Sequence, residues 1–425
     1  MVPRRTFLAV LSATLAGCSS TLPSDSTTTT RSETTTTQSE TTTTPSSSPS
    51  PTTTTEQPSA DSEHPEPACD SRWVPTVQWS LDMETRAYQP TVQDGVVYAG
   101  GQGGTMYALE ADTGKIRWQR PVALRFGSVP VVSGQTLTVV TNDRIVASDI
   151  ATGDERWSVA PPGEYAIVPS RHDHERETVF FGASQRPTPE TDPDPTYDRV
   201  YAVDRRTGDE TWWVSISGDD GDDDYGDWAV PEAVVVDAGR VFVSTEQSEL
   251  VVLDAEDGSI LWRRCFSSNS SHAEQPVVAG RRVFQVVSGV GYVLDVETGA
   301  ERWHAPGEFP PAVSGDTSYW VGHSTVVARD TADGSIRWRL QIPTEGCLRT
   351  PAVADGVLYV PTGCGSTNAT VHAIDATEGC WLGSFELESR NATTPVVSGR
   401  SVYVGGLSGA GKLWSLSAAG VDDSS

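Results

Sequence analysis

The sequence predicts an all-β fold, an eight-bladed β-propeller of four-stranded sheets. Three observations predict it. An eleven-residue stretch, Ala-x-Asp-x-x-Thr-Gly-x-x-x-Trp, returns along most of the 425-residue chain. A proline-headed hairpin pattern precedes each copy. The mean period is roughly 44 residues, within the range of propeller blades.

The chain opens on a leader rather than on structure. Pro3-Arg4-Arg5-Thr6-Phe7-Leu8 places paired arginines before an apolar run and resembles a twin-arginine export signal. Leu15-Ala16-Gly17-Cys18 resembles a lipoprotein lipobox. Residues 1–17 are thus expected to be a signal peptide, removed on export, with lipid placed on Cys18. The alternative is a cleaved signal without lipid. The apolar run is too short to span a bilayer. Residues 18–68 read as a disordered tether, because Thr, Ser and Pro dominate and almost nothing apolar can repay the entropy of ordering. The propeller is expected over 69–425. The expected place is the extracytoplasmic face of the cell membrane, held by the lipid.

Val77-Gln78-Trp79-Ser80 is a strand with no motif before it. At the other end, Pro395–Val404 and Lys412–Leu416 supply three strands and then no Trp strand. The orphan strand is therefore expected to complete the last blade, closing the ring and removing its edges. A seven-bladed ring is the alternative if one degenerate repeat is a linker.

Between these ends the copies follow in order. Ala147–Trp157 and Ala202–Trp212 keep every fixed position. Ala108–Trp118 has Glu110 in place of Asp, and Val252–Trp262, Val293–Trp303 and Ala328–Trp338 change one or two positions. The seventh copy, from Ala373, departs after Gly379. There Gly383 holds the Trp position and Trp381 sits two residues early. In Pro351–Val360, Asp355-Gly356 marks a two-residue hairpin turn. Thr-Gly then turns the chain where φ > 0 is needed. A short four-stranded sheet cannot bury both faces alone, and a large ring at a fixed place can bridge to its neighbour. Trp79, Trp118, Trp157, Trp212, Trp262, Trp303 and Trp338 therefore read as blade-docking residues.

Loops after the second strand, and loops into the next blade, share one face of the ring. Gln185–Asp198 is of the first kind and the acidic Gly218–Asp227 of the second. The acidic run lacks the spacing of a calcium loop and reads as solvated. The sequons at Asn269, Asn368 and Asn391 fall on the same face and are candidates for N-glycosylation. The formal net charge of −27 argues against nucleic acid or anionic lipid as partner of the folded part. An acidic excess of 57 to 30 looks like a protein from a salt-loving organism.

The repeats resemble the pyrroloquinoline-quinone-type (PQQ-like) β-propeller repeat over roughly Val77 to Gly420. Two classes share it. Quinoprotein dehydrogenases hold PQQ and calcium in the central funnel. Non-enzymatic envelope lipoproteins, such as the propeller subunit of the bacterial outer-membrane assembly machine, do not. The first class implies adjacent cysteines, a Glu, Asn and Asp set for calcium and a catalytic Asp, and none is assignable here. No Cys-x-x-Cys-His haem signature occurs. The expectation is a non-enzymatic binding or scaffold module, monomeric and without cofactor. Its partner is an unidentified protein or envelope component. A PQQ- and calcium-dependent dehydrogenase is the alternative.

Funnel candidates are the residues two before each blade proline: Tyr88, Ser128, Ile167, Ala229, Glu274, Phe309, Arg349 and Thr393. Glu274 and Arg349 stand out, with His272 near Glu274, though a salt bridge or solvated rim would explain them too. Cysteines exposed to an oxidising surface form bridges. With Ala354 opposite Val357, partners sum to 711, which sets Cys347 against Cys364 at a non-hydrogen-bonded position, about 4.5 Å between Cα atoms. Pro361 falls where an N–H is required, so the ladder is expected to fray or bulge before the cysteines. Pairing of Cys69, Cys265 and Cys380 stays open.

Overall fold

In the computed structural model, residue 69 and residues 72–418 are described, except 126, 162–164, 169, 172–176, 186–197, 218–229, 267–272, 345, 366 and 410. Eight antiparallel sheets follow one another in chain order and form an eight-bladed propeller. Blade one runs Thr91–Gln93, Val96–Gly100, Thr105–Glu110 and Ile116–Pro121, from the inner to the outer strand. Its inner turn, Asp94-Gly95, has φ of 48° and 72°. Positive φ at both central residues is the hairpin turn that Asp-Gly favours. Asp355 and Gly356 repeat it in blade seven, at 49° and 77°.

Burial follows the layers. The second strands of blades one and two, VVYAG and TLTVV, are buried at every residue. They face neighbouring blades on both sides, so they read as continuous β-branched runs. The outer strands are mostly exposed around their buried tryptophan, as in Glu155–Val159. The core is a set of seams between blades. Phe180, Val200 and Ala202 of blade three meet Val234, Val243 and Val251 of blade four.

The ring closes as expected. Val77–Asp82 pairs with Lys412–Ser417 and forms the outer strand of blade eight. Two registers differ from expectation. In blade three the inner strand is Tyr165–Val168, before Pro169, and Ser170–Arg171 instead adds a short parallel strand to blade four. In blade seven the sum of 711 holds from Ala354↔Val357 to Ala352↔Tyr359. It then becomes 710, with Leu348↔Thr362 and Cys347↔Gly363. The shift falls at Pro361, whose carbonyl accepts from Arg349 N at 2.8 Å but which has no N–H to return. Cys347 thus faces Gly363 rather than Cys364. The two cysteines are still joined, with Cα atoms 5.6 Å apart.

Candidate functional site

Each Thr-Gly turn is built from its own side chains. Asp149 Oδ1 accepts from the backbone of Ala151 and Thr152 at 2.8 and 3.1 Å, and Thr152 Oγ1 accepts from Asp154 N. Arg156, Arg302 and Arg337 pair with Asp149, Asp295 and Asp330. These arginine hydrogen bonds hold the three carboxyls below the usual carboxylate range, Asp295 at about 2. The motif acids are therefore committed to the turn.

The tryptophan of one blade docks on the turn of the next. Trp79, Trp118, Trp157, Trp212, Trp262, Trp303 and Trp338 donate Nε1–H to the carbonyls of Ala111, Ile150, Arg205, Ala255, Val296, Thr331 and Ala376, at 2.7–3.3 Å. Each indole also covers the turn glycine. A Cβ on Gly299 would fall 2.6 Å from Trp262 Cε3. The motif alanine lies directly opposite its own tryptophan, as Ala108 does to Trp118, and leaves the ring room to lean across.

The eighth junction is made differently, and no repeat in the sequence announces it. Gly383 stands opposite Ala373 where a tryptophan is due. Trp73, from the segment before the closing strand, fills that place. Its backbone N–H donates to Leu382 O at 2.8 Å, and its Nε1–H to Ser417 O at 2.9 Å. It is 5% exposed and meets Tyr359 edge-on at 5.6 Å. A Cβ on Gly383 would lie 2.1 Å from Trp73 O, so only glycine admits it. Cys69 is bonded to Cys380 in the adjacent turn, Cα atoms 5.9 Å apart, and ties the segment down.

The channel-mouth residues are only partly those expected. Backbone pairing makes Tyr88, Arg125, Glu274, Glu308, Arg349 and Thr393 equivalent, each donating to the end of its blade's second strand. Arg125 and Glu308 thus take the places expected for Ser128 and Phe309, because the lead-in segments of blades two and six differ in length. Burial pulls the Arg125 guanidinium below its ordinary range. Tyr88, Ser128 and Thr393 are buried, and the Ser128 and Thr393 hydroxyls accept from Val140 N and Gly405 N. Glu274 and Arg349 are half-buried on blades five and seven, with blade six between them. The Arg349 guanidinium lies over Phe309 at 4.8 Å. His272, Asn269, Ala229 and Cys18 lie outside the described residues. Asn368 is exposed and donates to Glu386 at 2.9 Å, and Asn391 Oδ1 accepts from Cys364 N at 2.8 Å.

Among the described residues, one group has metal-ligand spacing: Cys69, Glu378 and Cys380, at an outer turn of blade seven. It is remote from the channel, and its two sulfurs are bonded to each other. Among the His, Cys, Asp and Glu side chains of the described residues, those near the channel form no second such group.

An eight-bladed ring with tryptophan-docked turns defines a PQQ-like propeller. The chain belongs to the family described as outer membrane protein assembly factor BamB, which matches residues 75–226, 196–346 and 288–420. It is 27% identical over 363 residues to the outer membrane protein assembly factor BamB of Salmonella typhimurium, covering 72% of this chain and 91% of that protein. It is 23% identical over 383 residues to tetrathionate hydrolase of Acidithiobacillus ferrooxidans, covering 75% and 70%. The quinohemoprotein alcohol dehydrogenase of Comamonas testosteroni shares the fold, with TM-score 0.62 and 13% identity over 81% of this chain and 76% of that one.

Proposed function

We propose that this protein is a lipid-anchored, extracytoplasmic scaffold. Its propeller binds a protein or another envelope component and carries no cofactor. Membership of the assembly-factor family carries the reading, because the Salmonella relative is named for assembly and is matched over nearly its whole length. Residues 1–17 serve as the twin-arginine leader, Cys18 takes the lipid, and 18–68 hold the ring off the membrane. The acidic surface suits a salt-rich exterior. Glycans on Asn368 or Asn391 would sit on the loop face, and one on Asn368 would leave its amide a single N–H for Glu386.

Cross-linking in intact cells, followed by mass spectrometry, tests the reading. One recurrent partner, linked through the loop face, is expected. Random capture that follows protein abundance would reject it. Replacing Cys18 by Ser should release the protein from membranes or stop its maturation. Retention after a high-salt wash would reject the anchor.

A second reading has the shared fold in its favour: a quinoprotein-type dehydrogenase using PQQ and calcium in the funnel. Dye-linked alcohol oxidation by purified protein supplied with both would establish it.

A further inference from the structure

Blade seven holds an open cavity of about 470 Å³, bordered by its last three strands and the connection from blade six. His372, Thr362, Thr370, Ser384, Glu386 and Arg390 contribute to its lining. His372 and Thr362 are nine-tenths or more buried. Ile374 and Val360, beside His372 on the same face, pack into the seam with blade six. Gly346 and Gly363, next to the bridged Cys347 and Cys364, form one wall. The covalent bridge keeps that wall in place without any ligand.

One cross-strand pair sets this lining apart from the other blades. His372 faces Ser384 between the third and fourth strands. The same position holds Tyr107–Gln119, Tyr201–Trp213, Val251–Arg263, Tyr292–His304 and Val327–Arg339 in blades one, three, four, five and six. Each of those pairs contains at least one long side chain, and Tyr107, Tyr201 and Tyr292 pack into their seams. In blade two the pair is Val146–Ser158, short but half apolar. Blade seven alone among these seven combines a short side chain with polar groups on both strands.

We propose that this cavity binds one neutral sugar unit. Hydroxyl side chains donate and accept at the same atom, and imidazole can do either. A ligand that also does both at several closely spaced positions matches such a lining, and a sugar ring is that ligand. Glu386 and Arg390 are exposed at the rim and opposite in charge, so the rim favours neither an anion nor a cation. The volume suits a small molecule, since such sites span about 300–1,000 Å³.

The test uses full-length protein made without N-glycosylation, so that no glycan on Asn368 competes. Saturation-transfer NMR is run with glucose, galactose, mannose and N-acetylglucosamine, with their methyl glycosides, and with inorganic phosphate and acetate. At least one hexose should saturate. Binding of the matching methyl glycoside identifies the end of a glycan chain as ligand, and binding of the free sugar alone identifies a free sugar. Both outcomes support the site. Ser384→Trp, which copies the residue of blade three, should weaken binding by about tenfold or more. His372→Tyr, which copies blades one, three and five, should do the same, and both should melt as the wild type does. No hexose binding at high millimolar concentration, stronger binding of phosphate or acetate, or sugar binding unaffected by both folded variants would overturn the proposal.

Discussion

Replacing Trp73 by Ala removes the keystone of the last junction. The indole is 95% buried, donates to Ser417 and packs on Tyr359. Gly383 has no side chain to collapse into the space, and both flanking strands are held by their ladders. Deleting a buried aromatic of this kind costs about 3–5 kcal/mol. With an unfolding entropy of about 2.1 cal/mol/K per residue over roughly 350 residues, the midpoint should fall by about 4–7 °C. Differential scanning calorimetry measures it. A second readout separates closure from general packing. In Trp73→Ala the segment behind Cys69 loses its hold, so the Cys69–Cys380 bridge should be reduced and alkylated faster by a mild thiol. Trp338→Ala, at a junction made within contiguous repeats, should lower the midpoint similarly and leave that bridge's reduction rate unchanged. A Trp73→Ala protein that melts within about 1 °C of the wild type, with unchanged reduction, would refute the keystone argument.

Further outcomes follow from the same geometry. Gly299→Ala should cost about 2–4 kcal/mol by chemical denaturation, since φ is +68° and the new Cβ would strike Trp262. A loss under about 0.5 kcal/mol would show that the turn relaxes freely. The lowered pKa values of Asp149, Asp295 and Asp330 mean that the folded state binds fewer protons than the unfolded one. Their stabilisation is complete above the ordinary carboxylate pKa, about 4, and is lost as pH falls towards 2. Thermal midpoints measured across that window should drop with acidity, and Asp295→Asn should flatten the drop. Non-reducing peptide mapping of freshly exported protein should recover Cys347 linked to Cys364 and Cys69 linked to Cys380, and unlinked peptides after immediate alkylation would reject either bridge.

Local chemistry made most of the ring legible in the sequence. Asp-Gly at 94–95 and 355–356 demands positive φ wherever it stands, and alternation marks the strands around it. The motif Asp and Thr cap a turn within a few residues of themselves. The closing strand could be inferred because a strand without a blade and a blade without a strand complement each other. Gaps filled from far along the chain were not legible. Trp73 reaches Ser417 across 344 positions, and Cys69 reaches Cys380 across 311. The available signals were the defects of the seventh copy, glycine at the tryptophan position and cysteine in its turn. They mark where something is missing without saying what arrives. Counting back from a proline does not reach Arg125 and Glu308, because it assumes lead-in segments of equal length. What sets the cavity beside His372 apart emerges only against the same place in six other blades. A repeat prescribes backbone geometry locally. The filling of each seam depends on the volume left by side chains that only the closed ring brings together.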